Sequence, residues 1–386
     1  MANTSIYQDI ATRTGGDIYI GVVGPVRSGK STFIKRFMDT LVLPNMADPY
    51  GRERATDELP QSAAGRTIMT TEPKFIPEEA VPVHLDDCAD FRVRMIDCVG
   101  YIVPSSIGYI EDNMPRMVKT PWYDEPIPFN MAAEIGTQKV ITEHSTIGVV
   151  VTTDGSITDI PRAEYAEAEE RVVRELQEIQ KPFVVLLNCV APTDDAATAL
   201  AAELAQKYGV PVIPVNCMEL TEDMIQRVLS QVLFEFPVRE IRFEMPKWLT
   251  SLEKTHALRQ TIVQAIRQGA AQVAHIREVR DLASTLAHSE FADDARILKM
   301  QLGDGSARIQ LRLKNALFYQ VLAEKTGRTL HDENELFALL VQLSAAEQAY
   351  DRIRDAMEQV TQTGYGIVMP TIDELSLEEP EITHQN

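Results

Sequence analysis

The sequence predicts an α/β fold, in which a mostly parallel sheet carries helices on both faces and precedes a second, α-rich domain. Short apolar runs rich in Val and Ile alternate with helical patterns in the first part of the chain, as parallel strands joined by helices do. The runs are residues 18–23, 91–96, 146–152, 183–188 and 210–215. The helical patterns are residues 30–40, 162–180, 193–208 and 221–234. A glycine-bearing loop at residues 24–29 separates the first run from the first helical pattern.

The periodicity changes near the end of this first domain. Two apolar stripes with steps of three or four residues, from Leu249 to Leu282 and from Leu336 to Val360, predict long amphipathic helices. Between them, Ile309, Leu311 and Leu313 alternate with polar residues, as in a short half-buried strand. Packing in the core is the favoured interpretation of both stripes, and an oligomer interface is the alternative. The predicted regions are a first domain at 1–238, a second domain at 239–366 and an acidic linker at 367–386.

Composition excludes several classes of protein. The formal net charge of −20 over 386 residues means that most of the surface repels the phosphate groups of nucleic acids and anionic lipids. Binding of either over a broad surface is therefore not expected. No apolar run approaches the ~20 residues that span a bilayer, and the N-terminus lacks a signal-peptide layout. The cysteines have no metal-ligand spacing, so free and mostly buried thiols in a reducing cytosol are expected. They are Cys88, Cys98, Cys189 and Cys217.

Residues 24–31 read GPVRSGKS and fit the phosphate-binding pattern G-x-x-x-x-G-K-[ST], which defines a P-loop. Glycines allow successive backbone N–H groups to point at phosphate oxygens, and the following helix presents its positive end to the same anion. Lys30 is expected to reach the β- and γ-phosphates, and the Ser31 hydroxyl to ligate Mg²⁺. The flanking strand and helix disfavour the alternative of an ordinary glycine turn. Arg27 is expected to be a solvated surface residue or a phosphate contact, in cis or across a protomer interface.

A second group of candidates lies around the 91–96 run. Asp97 ends this predicted strand, where P-loop proteins hold Mg²⁺, and the Gly100 N–H is expected at the γ-phosphate. Upstream, Thr70 and Thr71 occupy the place where GTPase-like proteins carry a threonine that senses the γ-phosphate through Mg²⁺. Either threonine fits this role, and an edge-strand threonine pair is the alternative. The predicted magnesium ligands are Ser31, Asp97 and Thr70.

The segment expected to recognise the base departs from the guanine pattern. GTPases read guanine with N-K-x-D, whose Asp accepts two hydrogen bonds from the base, and the corresponding segment here is NCVA at residues 188–191. Asn188 is present, whereas Cys189 replaces the lysine and Ala191 replaces the aspartate. The loss of that carboxylate favours ATP or low base selectivity. Tyr101 stands where many GTPases carry a water-orienting Gln, so intrinsic hydrolysis is expected to be slow or to use another group.

Together these patterns predict a site for ATP and Mg²⁺. The predicted catalytic residues are Lys30, Thr70, Thr71 and Asp97. The predicted nucleotide-binding residues are Gly24, Pro25, Val26, Arg27, Ser28, Gly29, Lys30, Ser31, Thr32, Gly100 and Asn188. Three functions use such a site: a structural ATPase, a GTP-dependent switch that works without assembly, and a kinase acting on a small molecule. The broken guanine motif argues against the switch, and the lack of an arginine-rich lid segment argues against the kinase.

Several longer stretches are more specific than the loop motif. They are DIATRTGGDIY at 9–19, DELPQSAAG at 57–65, TPWY at 120–123, EPIPF at 125–129, EHSTIGVV at 143–150 and TGYGI at 363–367. On these stretches the chain resembles the stage IV sporulation protein A family, the ATPase at the base of the spore coat in endospore-forming bacteria. The resemblance extends over essentially all of the chain and is densest before residue 190.

The resemblance implies a TRAFAC GTPase-like fold that hydrolyses ATP. Hydrolysis in this family drives a conformational change that permits irreversible self-assembly into a static polymer on the outer membrane of the developing spore. By motif position, Lys30 becomes the Walker A lysine, Asp97 the Walker B carboxylate, and Thr70 with Thr71 the sensor threonines.

The resemblance also implies partners and a place in the cell. The expected partners are further copies of the chain, a small amphipathic membrane-anchoring peptide and other coat proteins, and no nucleic acid. The expected location is the mother-cell cytoplasm, with peripheral and indirect contact at the forespore membrane. Family members continue beyond the acidic segment into a further C-terminal domain, so the chain is expected to be C-terminally truncated.

Overall fold

The structure is a computed structural model, and it describes residues 6–46, 48–60, 73–85, 89–106, 109–111, 114–369 and 376. Its chain divides into two units, Met1–Arg312 and Leu313–Asn386. The strands are β1 (Asp17–Val23), β2 (Lys74–Leu85), β3 (Ala89–Asp97), β4 (Ile110–Glu111), β5 (Met114–Pro115), β6 (Met117–Thr120), β7 (Tyr123–Pro128), β8 (Ile147–Thr153), β9 (Phe183–Asn188), β10 (Val212–Val215), β11 (Glu240–Glu244), β12 (Ala292–Gln301) and β13 (Ser306–Leu313).

In the first 240 residues the helices alternate with most of these strands, although β2 to β7 follow one another without a described helix between them; later in the chain the helices lie closer together. They are α1 (Ile6–Thr14), α2 (Lys30–Phe37), α3 (Pro49–Asp57), α4 (Phe129–Lys139), α5 (Arg162–Glu178), α6 (Asp195–Tyr208), α7 (Glu222–Phe234), α8 (Lys247–Ser251), α9 (Ala257–Ala270), α10 (Val279–Ala287), α11 (Asn315–Thr326) and α12 (Glu333–Thr363). Segments of π-helix follow α2 at Met38–Val42 and α4 at Val140–His144.

A six-stranded sheet forms the centre of the first unit, in the order β10-β9-β8-β1-β3-β2. All of its pairings are parallel except the one between β2 and β3. The prediction of a mixed α/β fold with a mostly parallel sheet is therefore confirmed. The carboxyl ends of parallel strands meet at one edge, where Val22 pairs in register with Asp97 and Thr153 with Asn188. This edge is where open parallel sheets bind ligands.

The sheet is covered on both faces, which its strand sequences explain. Strands β8 and β9 are buried along their whole length, and successive side chains point to opposite faces. Val149 and Val151 belong to one hydrophobic cluster with α2 and α7, whereas Val150 belongs to a second cluster with α5 and α6. Continuous Val-, Ile- and Leu-rich runs, rather than alternating ones, are the signature of such doubly covered strands.

Strand β2 was not predicted, because its sequence carries breakers of the strand pattern. Pro77, Glu78 and Glu79 lie within the strand, at an irregularity where the pairing register with β3 shifts between Ile76 and Val81. Proline and charged residues are tolerated here because β2 is the outermost strand of the sheet. Three cysteines, Cys98, Cys189 and Cys217, are buried free thiols as predicted, and Cys88 lies outside the described residues.

The first apolar stripe of the later region forms helices as predicted, but they are shorter than expected and do not form one continuous element. It is shared by α8, α9, a short 3-10 turn at Ile276–Glu278 and α10. The helical run ends after α9 because residues 274 and 275 pair with the backbone after α7: Val238 N–H donates to the Ala274 carbonyl, and Pro237 bridges His275. A three-stranded sheet in the order β11-β13-β12 follows, and β13 contains the predicted alternating strand at 309–313.

The second stripe does form one long helix, α12, but the prediction that it packs in the core is wrong. Leu340, Leu343, Tyr350, Ile353 and Met357 are all exposed. Helical periodicity predicts one apolar face, and it does not say whether that face is covered by the same chain. Within the described residues, no helix is both long enough and apolar enough to cross a bilayer.

Candidate nucleotide-binding site

The loop at residues 24–29 joins the buried strand β1 to helix α2 at the carboxyl edge of the sheet. It is held against the segment that follows β3, because the Val26 N–H donates to the Tyr101 carbonyl at 2.9 Å and Pro25 forms a parallel bridge with Tyr101. The loop therefore brings the ends of β1 and β3 into direct contact. Gly24, Pro25 and Val26 form the first half of this loop, and their predicted contacts with a nucleotide stay predictions.

Three glycines of the site have no room for a side chain, and the first is Gly24, where a Cβ would lie 2.3 Å from the Val151 carbonyl oxygen. Gly29 has φ of 101°, and a Cβ there would lie 2.1 Å from Nδ2 of Asn188. Gly100 has φ of 88°, and a Cβ there would lie 2.1 Å from the Gly24 carbonyl oxygen and 2.6 Å from Nζ of Lys30. All three backbones are in a region that L side chains rarely adopt. The close approach of these segments thus depends on glycine at all three positions.

Ser31 and Asp97 form the hydrogen bond that links α2 to β3. The Ser31 hydroxyl donates to Oδ2 of Asp97 at 2.7 Å, whereas Oδ1 is buried and has no hydrogen-bond partner among the described residues. Burial raises the pKa of Asp97, and the bond from Ser31 opposes that rise. A hydroxyl and a carboxylate oxygen with unused bonding capacity are the hard oxygen ligands that Mg²⁺ prefers. The two residues therefore fit the predicted metal.

Lys30 is buried in the same place, 5% exposed, at the first position of α2. Its ammonium donates to the Pro25 carbonyl at 2.7 Å and to the Gly24 carbonyl at 3.4 Å. Burial lowers the pKa of Lys30, while the charge of Asp97 acts in the opposite direction. Burial also raises the pKa of the neighbouring Cys98 thiol to about 11, so that thiol is neutral at pH 7. The ammonium and the Asp97 carboxylate are the opposed charges of this pocket.

Asn188, at the end of β9, holds the loop from the other side. Its Nδ2 donates to the Ser28 carbonyl at 3.0 Å, and its Oδ1 accepts from the Cys217 N–H at 3.1 Å. The amide therefore ties the loop to the segment after β10. The hydroxyl oxygen of Ser28 is buried without a hydrogen-bond partner among the described residues. Polar atoms in this condition are uncommon in folded proteins, and this one fits a loop that can bind a further hydrogen-bonding group.

The remaining predicted residues fall into two sets. Arg27 is half-buried with φ of 65°, an unusual backbone conformation for a residue other than glycine, and Thr32 is half-buried in the first turn of α2. Thr70 and Thr71 lie outside the described residues, so their roles stay predictions. The structure thus brings Lys30, Ser31, Asp97, Gly100 and Asn188 to one edge of the sheet.

The loop after β8 was missed by sequence reasoning. The Ser156 hydroxyl accepts a hydrogen bond from the Val190 N–H at 3.0 Å, and the Ile157 Cδ1 lies 3.8 Å from where a Cβ on Gly29 would be. The loop is ordered by Asp154, whose Oδ1 accepts from the Ser156 N–H at 2.9 Å. The signal was present, because the sequence TDGS follows a predicted strand and contains residues that form tight turns.

Tyr101 points away from the loop. It is 3% exposed, its hydroxyl donates to Oε2 of Glu175 at 2.5 Å, and the Arg171 guanidinium lies over its ring. Burial and this acidic partner raise the pKa of the phenol. The side chain is therefore part of the packing against α5, and it has no access to a water molecule at the loop.

Comparison with known proteins identifies the family. Residues 1–237 match the family profile described as Stage IV sporulation protein A, ATPase domain, and residues 238–386 match the profile described as its middle domain. The chain belongs to the stage IV sporulation protein A family. The resemblance inferred from the sequence is thereby confirmed.

Known members of the family agree along the whole chain. The chain is 47% identical to stage IV sporulation protein A of Bacillus subtilis (strain 168) over 385 residues, which cover 100% of this chain and 78% of that relative. It is 46% identical to the protein of the same name from Clostridioides difficile (strain 630), with 99% of this chain and 78% of the relative covered. The Bacillus anthracis relative is 48% identical, with 99% and 78% covered.

Proposed function

We propose that the chain is a Mg²⁺-dependent ATPase with a P-loop NTPase fold, and that ATP hydrolysis drives its assembly into the basement layer of the spore coat. The observation that carries the proposal is the Ser31–Asp97 hydrogen bond beside the buried ammonium of Lys30. Membership in a family with an ATPase domain supports the activity. The sequence order of strand, glycine loop and helix supports the P-loop fold.

Lys30 and the first turn of α2 provide the anion-binding part. The N–H groups of a helix's first turn have no intrahelical acceptors, and the helix dipole adds positive potential there. A phosphate oxygen is a charged acceptor, so it would bind the Lys30 ammonium more strongly than the neutral Pro25 carbonyl does. Burial strengthens this attraction, because charges interact more strongly where water is excluded.

Ser31 and Asp97 would hold the metal. When bound, Mg²⁺ supplies charge neutralisation at the β- and γ-phosphate oxygens. Asp97 bears its unpartnered Oδ1 in a buried position, where a cation would relieve the cost of its charge. Thr70 or Thr71 is proposed to sense the γ-phosphate through the same Mg²⁺ ion.

ATP is proposed rather than GTP because of the segment after β9. Asn188 is engaged with the loop itself, and Cys189 is fully buried with its thiol 3.8 Å from the Val215 carbonyl. Ala191 has no carboxylate to accept hydrogen bonds from guanine. A site discriminates strongly only when it pairs polar groups of the correct base, so the guanine discrimination of GTPases is not expected here.

The assembly part of the proposal rests on the family. Its relatives bear the name stage IV sporulation protein A, which associates them with spore formation. We propose as partners further copies of the chain, a small amphipathic membrane-anchoring peptide and other spore coat proteins. The proposed place of action is the mother-cell cytoplasm at the forespore surface, where membrane contact is peripheral and indirect.

Phosphate release tests the activity. The rate would be measured with ATP and with GTP for the wild type, for Lys30→Ala and for Lys35→Ala. Lys35 is the matched control, because it is an exposed lysine on the same helix. We expect ATP to be preferred and Lys30→Ala to lower the rate at least about 100-fold, since loss of one preorganised donor costs this much in enzymes that stabilise anions. Sedimentation with and without ATP then reports assembly.

The outcomes separate the candidate functions. A strong preference for GTP, with release of a partner on hydrolysis, would favour a GTP-dependent switch without polymerisation. Unchanged hydrolysis in Lys30→Ala would refute the site. Hydrolysis without any ATP-dependent sedimentation would leave an ATPase whose energy is used in another way.

A further inference from the structure

Helix α12 carries a regular heptad pattern that the proposed ATPase does not use. Counting seven-residue repeats from Leu336, every first (a) and fourth (d) position is apolar over four repeats. The a positions are Leu336, Leu343, Tyr350 and Met357, and the d positions are Leu339, Ala346, Ile353 and Val360. A spacing of alternating three and four residues, sustained over this length, is the pattern of a helix that pairs with another helix.

Most of this seam, which we call the α12 seam, is uncovered. The large a and d side chains from Leu343 to Val360 are between 40% and 54% exposed, and Leu340 beside them is 56% exposed. Only its beginning is covered, where Leu339 is buried and Leu336 half-buried. Past the C-cap at Gly364 the chain folds back, placing Gly366 against Ala356 on the flank of the seam. The central layers of the seam remain open.

We propose that the α12 seam pairs with the same helix of a second copy of this chain, in an antiparallel two-fold arrangement. Helix α12 spans Glu333–Thr363, so a two-fold axis at Gln348 places the open central layers of the two helices opposite each other. In that register Ala346 faces Tyr350 of the second copy, and Leu343 faces Ile353. In the first of these layers a large aromatic side chain packs against a small alanine, and in the second two branched aliphatic side chains pack together. Both combinations fill space evenly, as close packing requires.

The parallel alternative fits less well. A parallel pair of α12 helices would place Ala346 opposite Ala346 of the second copy and Tyr350 opposite its Tyr350. The alanine layer would then be underfilled and the tyrosine layer overcrowded.

Charges flanking the seam select the same register. In the antiparallel pair Glu347 lies beside Arg354 of the second copy, and the two-fold axis repeats this contact. In the parallel pair Glu347 would lie beside Gln342, and Arg354 beside Ala349. Arg354 already contacts Asp351 of its own helix at 2.8 Å, but both side chains are about half exposed, so the guanidinium has donors left for a second carboxylate.

The available area suits a dimer of modest affinity. Six large side chains that are each about half exposed offer on the order of 300 Å² of apolar surface per helix. Because interfaces are about 60% apolar, the pair would bury roughly 1,000 Å² in total, the lower limit for a specific interface. We therefore expect a monomer in dilute solution and a dimer at micromolar concentrations. This pairing needs no nucleotide, so it goes beyond the proposed hydrolysis-driven assembly.

Sedimentation velocity of the whole chain without nucleotide tests the pairing. Between about 1 and 100 µM protein, the wild type is expected to pass from monomer to dimer, and Leu343→Glu to weaken dimerisation at least about tenfold. Leu298→Glu is the matched control, because Leu298 is 47% exposed on β12 and Leu343 is 49% exposed on α12. A wild type that stays monomeric, or a Leu343→Glu variant that dimerises as well as the wild type, would overturn the proposal.

Charge reversal tests the register. Glu347→Arg and Arg354→Glu are each expected to weaken the dimer about three- to tenfold, and the double variant to restore it. Failure of the double variant to recover would overturn the antiparallel register. Phosphate release from ATP is measured on the same samples and is expected to be unchanged. A wild type that dimerises but releases no phosphate would refute the proposed ATPase and leave the pairing standing, whereas a wild type that releases phosphate but stays monomeric would refute only the pairing.

Discussion

The loop at residues 24–31 and the helix α12 both carry a plain sequence pattern, and their burial is opposite. At the loop, polar groups are buried: Lys30 is 5% exposed and the hydroxyl of Ser28 has no partner among the described residues. On α12, apolar groups are exposed, such as Leu343 and Tyr350. In each case side chains lie in an environment that costs free energy.

This contrast indicates what each region is built to receive. A buried ammonium and a buried carboxylate are stabilised by a charged ligand, which the loop would gain from a phosphate and a divalent cation. An exposed apolar face is stabilised by another apolar face. The two regions thus point to different partners, a small anion for the loop and a protein surface for α12. The predictions below test this contrast, from the largest expected effect to the smallest.

Adding one methyl group to the loop, in Gly29→Ala, is expected to lower ATP affinity more than any other change in this series of predictions. In Gly29→Ala the new Cβ would collide with the Asn188 amide at 2.1 Å, so we expect ATP affinity to fall at least about 100-fold, or ~2.7 kcal/mol. The control is Gly209→Ala, where φ is also positive at 65° but nothing lies within 4 Å. In both variants an alanine must adopt a positive φ, which destabilises the folded protein by about 1 kcal/mol. Equal ATP affinities, measured by calorimetry, would contradict a role for the close approach.

Neutralising Asp97 is expected to have opposite effects on two properties. It should slow ATP hydrolysis and make the nucleotide-free protein more stable. Asp97→Asn should lower hydrolysis about 10- to 100-fold, because a metal-binding oxygen is lost. The nucleotide-free variant should unfold at a higher temperature than the wild type at pH 7, since burial raises the pKa of Asp97 above its ordinary 3.8. The folded state then holds the proton more tightly, so wild-type stability falls as pH rises through that raised pKa.

The matched control for this change is Asp195→Asn, an exposed carboxylate at the start of α6. The stability gained in Asp97→Asn should shrink as the pH falls towards 3.8, where both states of the wild type become protonated. Thermal unfolding from pH 4 to pH 8 measures it. A variant less stable than the wild type at pH 7 would show that the carboxylate is compensated in the nucleotide-free protein.

Removing the Asn188 amide is expected to weaken both nucleotides equally. Asn188→Ala leaves the Ser28 carbonyl and the Cys217 N–H without this partner, a cost of about 1–3 kcal/mol. Because the amide holds the loop and not the base, ATP and GTP affinities should fall together, about tenfold, with their ratio unchanged. Asn216→Ala, which removes a nearby capping side chain, serves as the control. A changed ATP-to-GTP ratio would instead assign Asn188 to base recognition.

The smallest effect is expected on the exposed face of α12. Leu343→Gln should change the free energy of unfolding of dilute protein by less than about 0.5 kcal/mol, because surface substitutions seldom exceed this. Leu229→Ala in α7, at a leucine that is 3% exposed, should cost about 2–5 kcal/mol. Denaturant titration below about 1 µM measures both. A large loss in Leu343→Gln would mean that the seam is covered within its own chain.

The same contrast explains what the sequence predicts well. The loop motif is local, and each of the other two residues ends a Val- and Ile-rich run, so the assignment of Lys30, Asp97 and Asn188 to one site followed from the motif positions. The hydrogen bonds of Asn188 to Ser28 and Cys217 did not follow, because they join segments distant in sequence. Such contacts depend on packing, which one-dimensional patterns do not contain.

Periodicity has a different limit. It marked α12 correctly as a helix with one apolar face, yet the choice between core and interface depends on what else lies near the helix. Between α9 and α10, pairing of residues 274 and 275 with residues 237 and 238 overrode a continuous helical pattern. Strand β2 was hidden by Pro77 and Glu78, which only an edge strand tolerates.

Calorimetric titration of ATP into the wild-type chain and Lys30→Ala, with and without Mg²⁺, tests the central claim most directly. The central claim is that the loop beside Lys30 receives the phosphates while Ser31 and Asp97 receive the cation. It predicts one site per chain for the wild type, binding that is much weaker without Mg²⁺, and no detectable binding for Lys30→Ala. Absence of heat in the wild type, or equal affinities in the two proteins, would contradict it.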